Sequence, residues 1–140
     1  MSVDDIVDSI LSLGQGALLA RIDVRSAYRV VPVHPEDRML LGMYWKGKVY
    51  VDATLPFGLR SAPKIFTVVA DALEWILRLR GVRNVKHYLD DFIVVGPPRS
   101  LECKENLDTM CCTCREPNLL LATVCVSVAV HICYVKRINK

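Results

Sequence analysis

The sequence predicts an α+β fold, an antiparallel sheet with helices packed on one of its faces. Three observations predict it. Helical and strand periodicities alternate along the chain in the order helix, strand, strands, helix, hairpin, helix. Glycines and prolines such as Gly14, Gly16, Gly81, Gly96 and Pro117 punctuate the periodic stretches. The chain has 140 residues, of which 52% are hydrophobic, which suffices for the core of one domain and leaves little room for two. No internal repeat, linker or low-complexity stretch interrupts it.

The elements follow in order. Residues 3–13 place Val3, Ile6, Val7, Ile10 and Leu11 at helical spacing with acids opposite, and Gly14 and Gly16 end that helix. Residues 18–24 read as a strand. Ala20, Ile22 and Val24 share one face; Leu19, Arg21 and Asp23 share the other. Residues 30–33 are extended, with Pro32 at an edge or bend. His34-Pro35-Glu36-Asp37 reads as a turn. Residues 39–45 and 48–55 read as two strands joined by Lys46-Gly47. The clearest helix follows, with Ser61 as its cap, Pro63 in its first turn and Gly81 at its close. Its predicted apolar stripe is Ile65, Val69, Leu73 and Ile76, with Trp75 as further core, while Lys64, Asp71, Glu74 and Arg78 point mostly away. Val85 to Val95 reads strand, tight turn, strand, with Asp90 and Asp91 at the turn. His34 and His87 read as turn and hairpin residues rather than catalysts. A helix over about 100–116 comes last, ended by Pro117.

Charge is distributed unevenly. The formal net charge is +3, but residues 1–20 carry three acids and no base, whereas residues 21–64 carry eight bases and four acids. Such a basic stretch is either a solvated face or a phosphate-facing surface. The six cysteines all lie between Cys103 and Cys133, and the cluster Cys111-Cys112-Thr113-Cys114 has neither a second CxxC pair nor histidines at zinc spacing after it. The acidic N-terminus lacks the basic region of a secretory leader. A reducing intracellular setting, cytoplasm or nucleus, is expected rather than secretion.

Asp23, Asp90 and Asp91 carry the chemical argument. Each sits where an apolar strand ends or turns. Adjacent carboxylates in an apolar hairpin repel each other and resist desolvation. A hard cation such as Mg²⁺ relieves both costs. Antiparallel pairing of strand 18–24 with the hairpin would bring Asp23 beside Asp90. Two metals about 4 Å apart could then serve in-line phosphoryl transfer. On spacing alone a plain turn explains the pair better, because Asp favours turns.

Resemblance across several motifs shifts that balance. Ile22-Asp23-Val24-Arg25-Ser26-Ala27-Tyr28 resembles the first palm motif of reverse transcriptases. Leu55-Pro56-Phe57-Gly58-Leu59-Arg60-Ser61-Ala62-Pro63-Lys64-Ile65-Phe66 is similar to the second, and Tyr88-Leu89-Asp90-Asp91 matches the YxDD box. Their order and separations suit the family, from about residue 18 to about residue 98. The wording around them resembles retrotransposon enzymes, of the tyrosine-recombinase or long-terminal-repeat type.

The resemblance implies a polymerase palm-like sheet with partial fingers and no thumb, over residues 1–98, followed by a diverged or truncated segment over residues 99–140. It implies RNA-directed DNA polymerase activity, transferring nucleotides from dNTPs to a primer 3′-hydroxyl. Asp23, Asp90 and Asp91 would be catalytic. With the backbone of Val24, they would ligate two Mg²⁺ ions, Mn²⁺ being able to substitute. Tyr28 falls at the family's sugar-gate position. Phe57 and Gly58 fall beside the incoming nucleotide, where glycine fits a close backbone approach. Arg60 and Lys64 face phosphates or solvent. The implied partners are an RNA or DNA template with its primer, dNTPs, and the missing fingers, thumb and RNase H parts of a polyprotein.

Beyond about Cys111 nothing resembles the family's lysine segment or its FLG strand. An isolated chain is therefore expected to be inactive or incomplete. The alternative is a non-catalytic nucleic-acid-binding remnant of a transposable element. Leu119–Val135 is a run of 17 uncharged residues, near the lower limit for a membrane span. Its valines favour a buried strand pair instead, and membrane insertion is not expected.

Overall fold

The computed structural model describes residues 3–24, 26–114, 126–127 and 133–134. Helix α1 spans Val3–Leu13 and strand β1 spans Leu18–Val24, with the bounds the sequence predicts. A short 3-10 helix follows at Ala27–Val30. The segment read as a turn at His34 is the start of a longer 3-10 helix, Pro35–Leu41. It takes up the first residues expected of the next strand. Strands β2 (Gly42–Trp45) and β3 (Lys48–Val51) are thus shorter than predicted and form a separate two-stranded ribbon. Lys46 and Gly47 close it, both at positive φ, which the tight connection demands.

Helix α2 spans Ala62–Leu79. Ser61 precedes it without a side-chain capping bond, Pro63 sits in its first turn, and Gly81 follows its end at φ +88°. Strands β4 (Val85–Tyr88) and β5 (Asp91–Gly96) form the hairpin, and α3 spans Glu102–Cys114. The dipeptides Val126–Ser127 (β6) and Cys133–Tyr134 (β7) pair with β1. Otherwise the apolar run 119–135 lies outside the described residues. Among the described residues no helix is long and apolar enough to cross a membrane.

The main sheet is antiparallel, in the order β4, β5, β1, β6 with β7 also on β1. Alternation gives it two chemically distinct faces. Ala20, Ile22 and Val24 of β1 lie beside Val94 and Phe92 of β5, all buried. Helices α2 and α3 cover this face with Phe66, Ala70, Leu73, Leu77, Leu107 and Met110. The opposite face carries Arg21, Asp23 and Asp91.

The buried stripe of α2 is Ala62, Phe66, Ala70, Leu73 and Leu77, which corrects the predicted one. Of the predicted stripe only Leu73 is fully buried; Ile65 is 40% exposed and Trp75 62% exposed. Apolar residues cover most of this helix's circumference, so helical spacing fits two adjacent stripes. The phenylalanine side wins because it fills the sheet surface more completely.

Gly96 ends β5 where α3 crosses. A Cβ there would lie 2.8 Å from the Cys103 Cβ and 3.1 Å from its backbone nitrogen. Only glycine permits that approach.

Candidate active site

The site begins with two backbone devices. β1 runs antiparallel to β5, and the register sets Asp23 directly opposite Asp91. The hairpin loop has two residues, Leu89 and Asp90, with Leu89 at φ 53°. A leucine in the left-handed region is costly, and such strain persists only where its surroundings hold it. Here the holding contact is visible. Val24 donates its backbone N–H to the carbonyl oxygen of Asp90 at 2.9 Å.

The three acids therefore meet, in a register one residue from the expected one. Asp91, rather than Asp90, is the cross-strand partner of Asp23, and it opens β5 instead of lying in the turn. Asp90 takes the loop position. Tyr88 stands across from Asp91 on its other side, more than half exposed.

Electrostatics reflect the crowding. Asp23 is held above the ordinary carboxylate range, first by desolvation, then by the negative charges of Asp90 and Asp91. A hydrogen bond with Asp91 adds to the rise, and Arg21 partly offsets it. Arg21 also grips Asp91 directly. Its Nε lies 2.8 Å and its Nη2 2.6 Å from the same carboxylate oxygen, Oδ1. Strand alternation puts this cation on the face of Asp23, but its pairing with the hairpin is not evident from the sequence.

The donor set suits a hard divalent cation. It consists of carboxylate oxygens under mutual repulsion, the arrangement that a cation relieves. Among the described residues, though, no group of three or more His, Cys, Asp or Glu side chains stands gathered as a ready cage. The guanidinium of Arg21 supplies the positive charge at Asp91 instead.

Tyr28 sits half-buried on the first 3-10 helix. Its ring meets Phe57 edge-on at 5.2 Å and Phe66 edge-on at 5.6 Å between centroids. Phe57 is 65% exposed, so it borders solvent and is not core filling. Gly58 has φ +85°, and a Cβ added to it would meet no atom of the described residues within 4 Å. Its backbone angle accounts for the glycine, and among the described residues no close approach does. Arg60 and Lys64 are exposed. Val24 directs its side chain into the core and offers only its backbone near the acids.

A second polar cluster lies on the buried face, and the sequence pattern did not single it out. His87 is 5% exposed and stacks on Phe92. Its Nε2 is 3.0 Å from Asp71 Oδ1 and 3.6 Å from Glu74 Oε2, and Glu74 also accepts from Arg78 at 2.7 Å. The signal is present in the strand alternation, since His87 shares its face with Val85. The cluster ties β4 to α2 and does not reach the three acids. A groove of about 410 Å³ lined by Val31, Leu40, Leu55, Leu59 and Ile65 also lies apart from them.

Comparison with known proteins agrees with this fold. The family model described as "Reverse transcriptase (RNA-dependent DNA polymerase)" matches residues 2–123. Among solved structures, the prototype foamy virus protease-reverse transcriptase CSH mutant aligns with TM-score 0.59 and 25% identity over 71% of this chain. The native protein of that virus aligns with TM-score 0.62 and 23% identity over 84%. A foamy viral protease-reverse transcriptase in complex with an RNA/DNA hybrid aligns with TM-score 0.55 and 21% identity over 69%. This chain spans only 12%, 15% and 13% of those three chains, respectively.

Proposed function

The chain belongs to the reverse transcriptase (RNA-dependent DNA polymerase) family, and from that membership we propose that it forms the acid-bearing palm core of a retrotransposon polymerase. In this reading it adds deoxynucleotides to a primer 3′-hydroxyl on an RNA or DNA template. The observation that carries it is the meeting of Asp23 with Asp91 across the sheet, with Asp90 in the adjoining loop. The neighbour bound to an RNA/DNA hybrid supports a template-primer as the partner.

Asp23, Asp90 and Asp91, with the backbone of Val24, would hold two Mg²⁺ ions, with Mn²⁺ able to replace them. Bound there, the ions would acidify the primer hydroxyl and neutralise the triphosphate and leaving pyrophosphate. The chain itself contributes position. The β1–β5 ladder fixes two carboxylates side by side, and the Val24 to Asp90 bond fixes the loop that bears the third. Tyr28, braced by Phe57 and Phe66, is suited to press under a deoxyribose and exclude a 2′-hydroxyl. Arg60 and Lys64 are exposed cations available to phosphates. The remaining fingers, a thumb and an RNase H part would come from a longer polyprotein. An intracellular setting fits the free thiols of Cys103, Cys112 and Cys114.

The test is primer extension by the purified chain on an RNA template with Mg²⁺ or Mn²⁺. Any incorporation by this incomplete chain that Asp90→Asn abolishes supports the catalytic reading. No incorporation even with the remaining polymerase parts supplied in trans, together with salt-sensitive binding of the template-primer, would overturn the catalytic reading and leave a nucleic-acid-binding remnant.

A further inference from the structure

Resting on that reading of the acid site, we propose that Arg21 is a built-in competitor for the divalent cation, occupying Asp91 until the metal displaces it. The geometry is specific. Two donors of one guanidinium, Nε at 2.8 Å and Nη2 at 2.6 Å, end on the same oxygen of Asp91. The contact crosses the sheet between β1 and β5, and Asp23 lies two residues along from Arg21 on the same face. A cation that uses Asp91 Oδ1 must therefore dislodge the guanidinium or share that oxygen, and one on the other carboxylate oxygen would sit beside a fixed positive charge.

Displacement is feasible because the pair is partly wet. The side chain of Arg21 is 52% exposed and that of Asp91 29% exposed. Exposed pairs of this kind are individually weak. Once dislodged, the arginine stem can carry its charge outward into solvent. The same grip tempers the repulsion among the three acids. Arg21 offsets the negative charge that Asp90 and Asp91 impose on Asp23. The arginine thus lowers the repulsion in the unloaded site and raises the cation concentration needed to load it.

The test is direct Mn²⁺ binding, read from the electron paramagnetic resonance signal of the free ion, on the full chain. The set comprises wild type, Arg21→Gln, Asp91→Asn and their double variant, with Asp23→Asn and Asp90→Asn as controls on the site. Arg21→Gln is expected to bind about fivefold tighter than wild type, equivalent to about 1 kcal/mol. In the Asp91→Asn background the same substitution is expected to change affinity less than about twofold, since the coupling runs through Asp91. Equal or weaker binding by Arg21→Gln overturns the inference, as does an undiminished gain in the Asp91→Asn background. Both results leave the polymerase reading standing. If Asp23→Asn and Asp90→Asn leave Mn²⁺ affinity unchanged, the polymerase reading falls and this inference with it. Should Arg21→Gln fail to fold, Arg21→Lys keeps the charge and stem but not the two-nitrogen grip. It is expected to bind about twofold tighter, and wild-type affinity would overturn the inference.

Discussion

Val24 and Asp90 are joined by one backbone hydrogen bond, N–H to carbonyl oxygen at 2.9 Å. The bond extends the β1–β5 ladder past its last paired residues and into the hairpin loop. It fixes the loop acid relative to Asp23 without using any side chain, so side-chain substitutions at the acids should leave the backbone frame in place.

Asp23→Asn should therefore stabilise the metal-free fold slightly at neutral pH. The carboxyl of Asp23 is held above its ordinary value. A raised acid is no burden below its unfolded pKa, and its ionisation costs stability as pH rises through the folded pKa. The melting temperature of the variant should exceed wild type by at most ~3 °C near pH 7, because the site is partly solvated. The gap should close on acidification below the ordinary carboxylate range. A gap that widens in acid contradicts the assignment.

Divalent cation should reverse that order. At a Mg²⁺ concentration about ten times its dissociation constant, linkage predicts roughly 1.4 kcal/mol of added stability for wild type. Asp90→Asn should gain much less. Calorimetric melts with Mg²⁺ and with EDTA measure this directly, and an equal shift in both proteins would argue for cation binding elsewhere.

Gly96→Ala should be strongly destabilising. The added carbon would meet both the side chain and the backbone of Cys103, so α3 itself must shift. About 3 kcal/mol of lost stability is expected by urea denaturation.

The corrected face of α2 gives a paired test. Leu77 is fully buried and Leu77→Ala should cost about 3 kcal/mol. Trp75 is 62% exposed, and Trp75→Lys should stay within ~0.5 kcal/mol of wild type. A large loss at Trp75 would restore the stripe that spacing alone suggests.

Tyr28→Val should relax sugar discrimination in primer extension. Removing a ring braced by two phenylalanines would open space where the proposed site would receive the sugar. The preference for deoxy- over ribonucleotides should fall roughly tenfold or more, or about 1.4 kcal/mol. An unchanged ratio would place Tyr28 in the structural core alone.

Much of the fold is legible in the sequence, for identifiable reasons. α1 and β1 carry clean single-period patterns bounded by glycines, and their observed ends match the predicted ones. The convergence of Asp23 with the hairpin follows from antiparallel pairing. The register does not. Reading it requires placing Leu89 at positive φ, which leucine's preferences oppose. His87 reads only as a hairpin residue, whereas its position in the β4 alternation buries it against Asp71 and Glu74. Arg21 falls on the correct face, but a salt bridge between residues 21 and 91 needs the register before it can be seen.

The β2–β3 ribbon has a practical consequence. All eight of its strand residues are exposed, among them Met43, Tyr44, Trp45, Val49, Tyr50 and Val51. An isolated pair of strands is marginal in water, and bare edges recruit further strands. Preparations of this chain by itself should be sticky at high concentration, and charged substitutions at the outward aromatic positions are the first remedy for poor solubility.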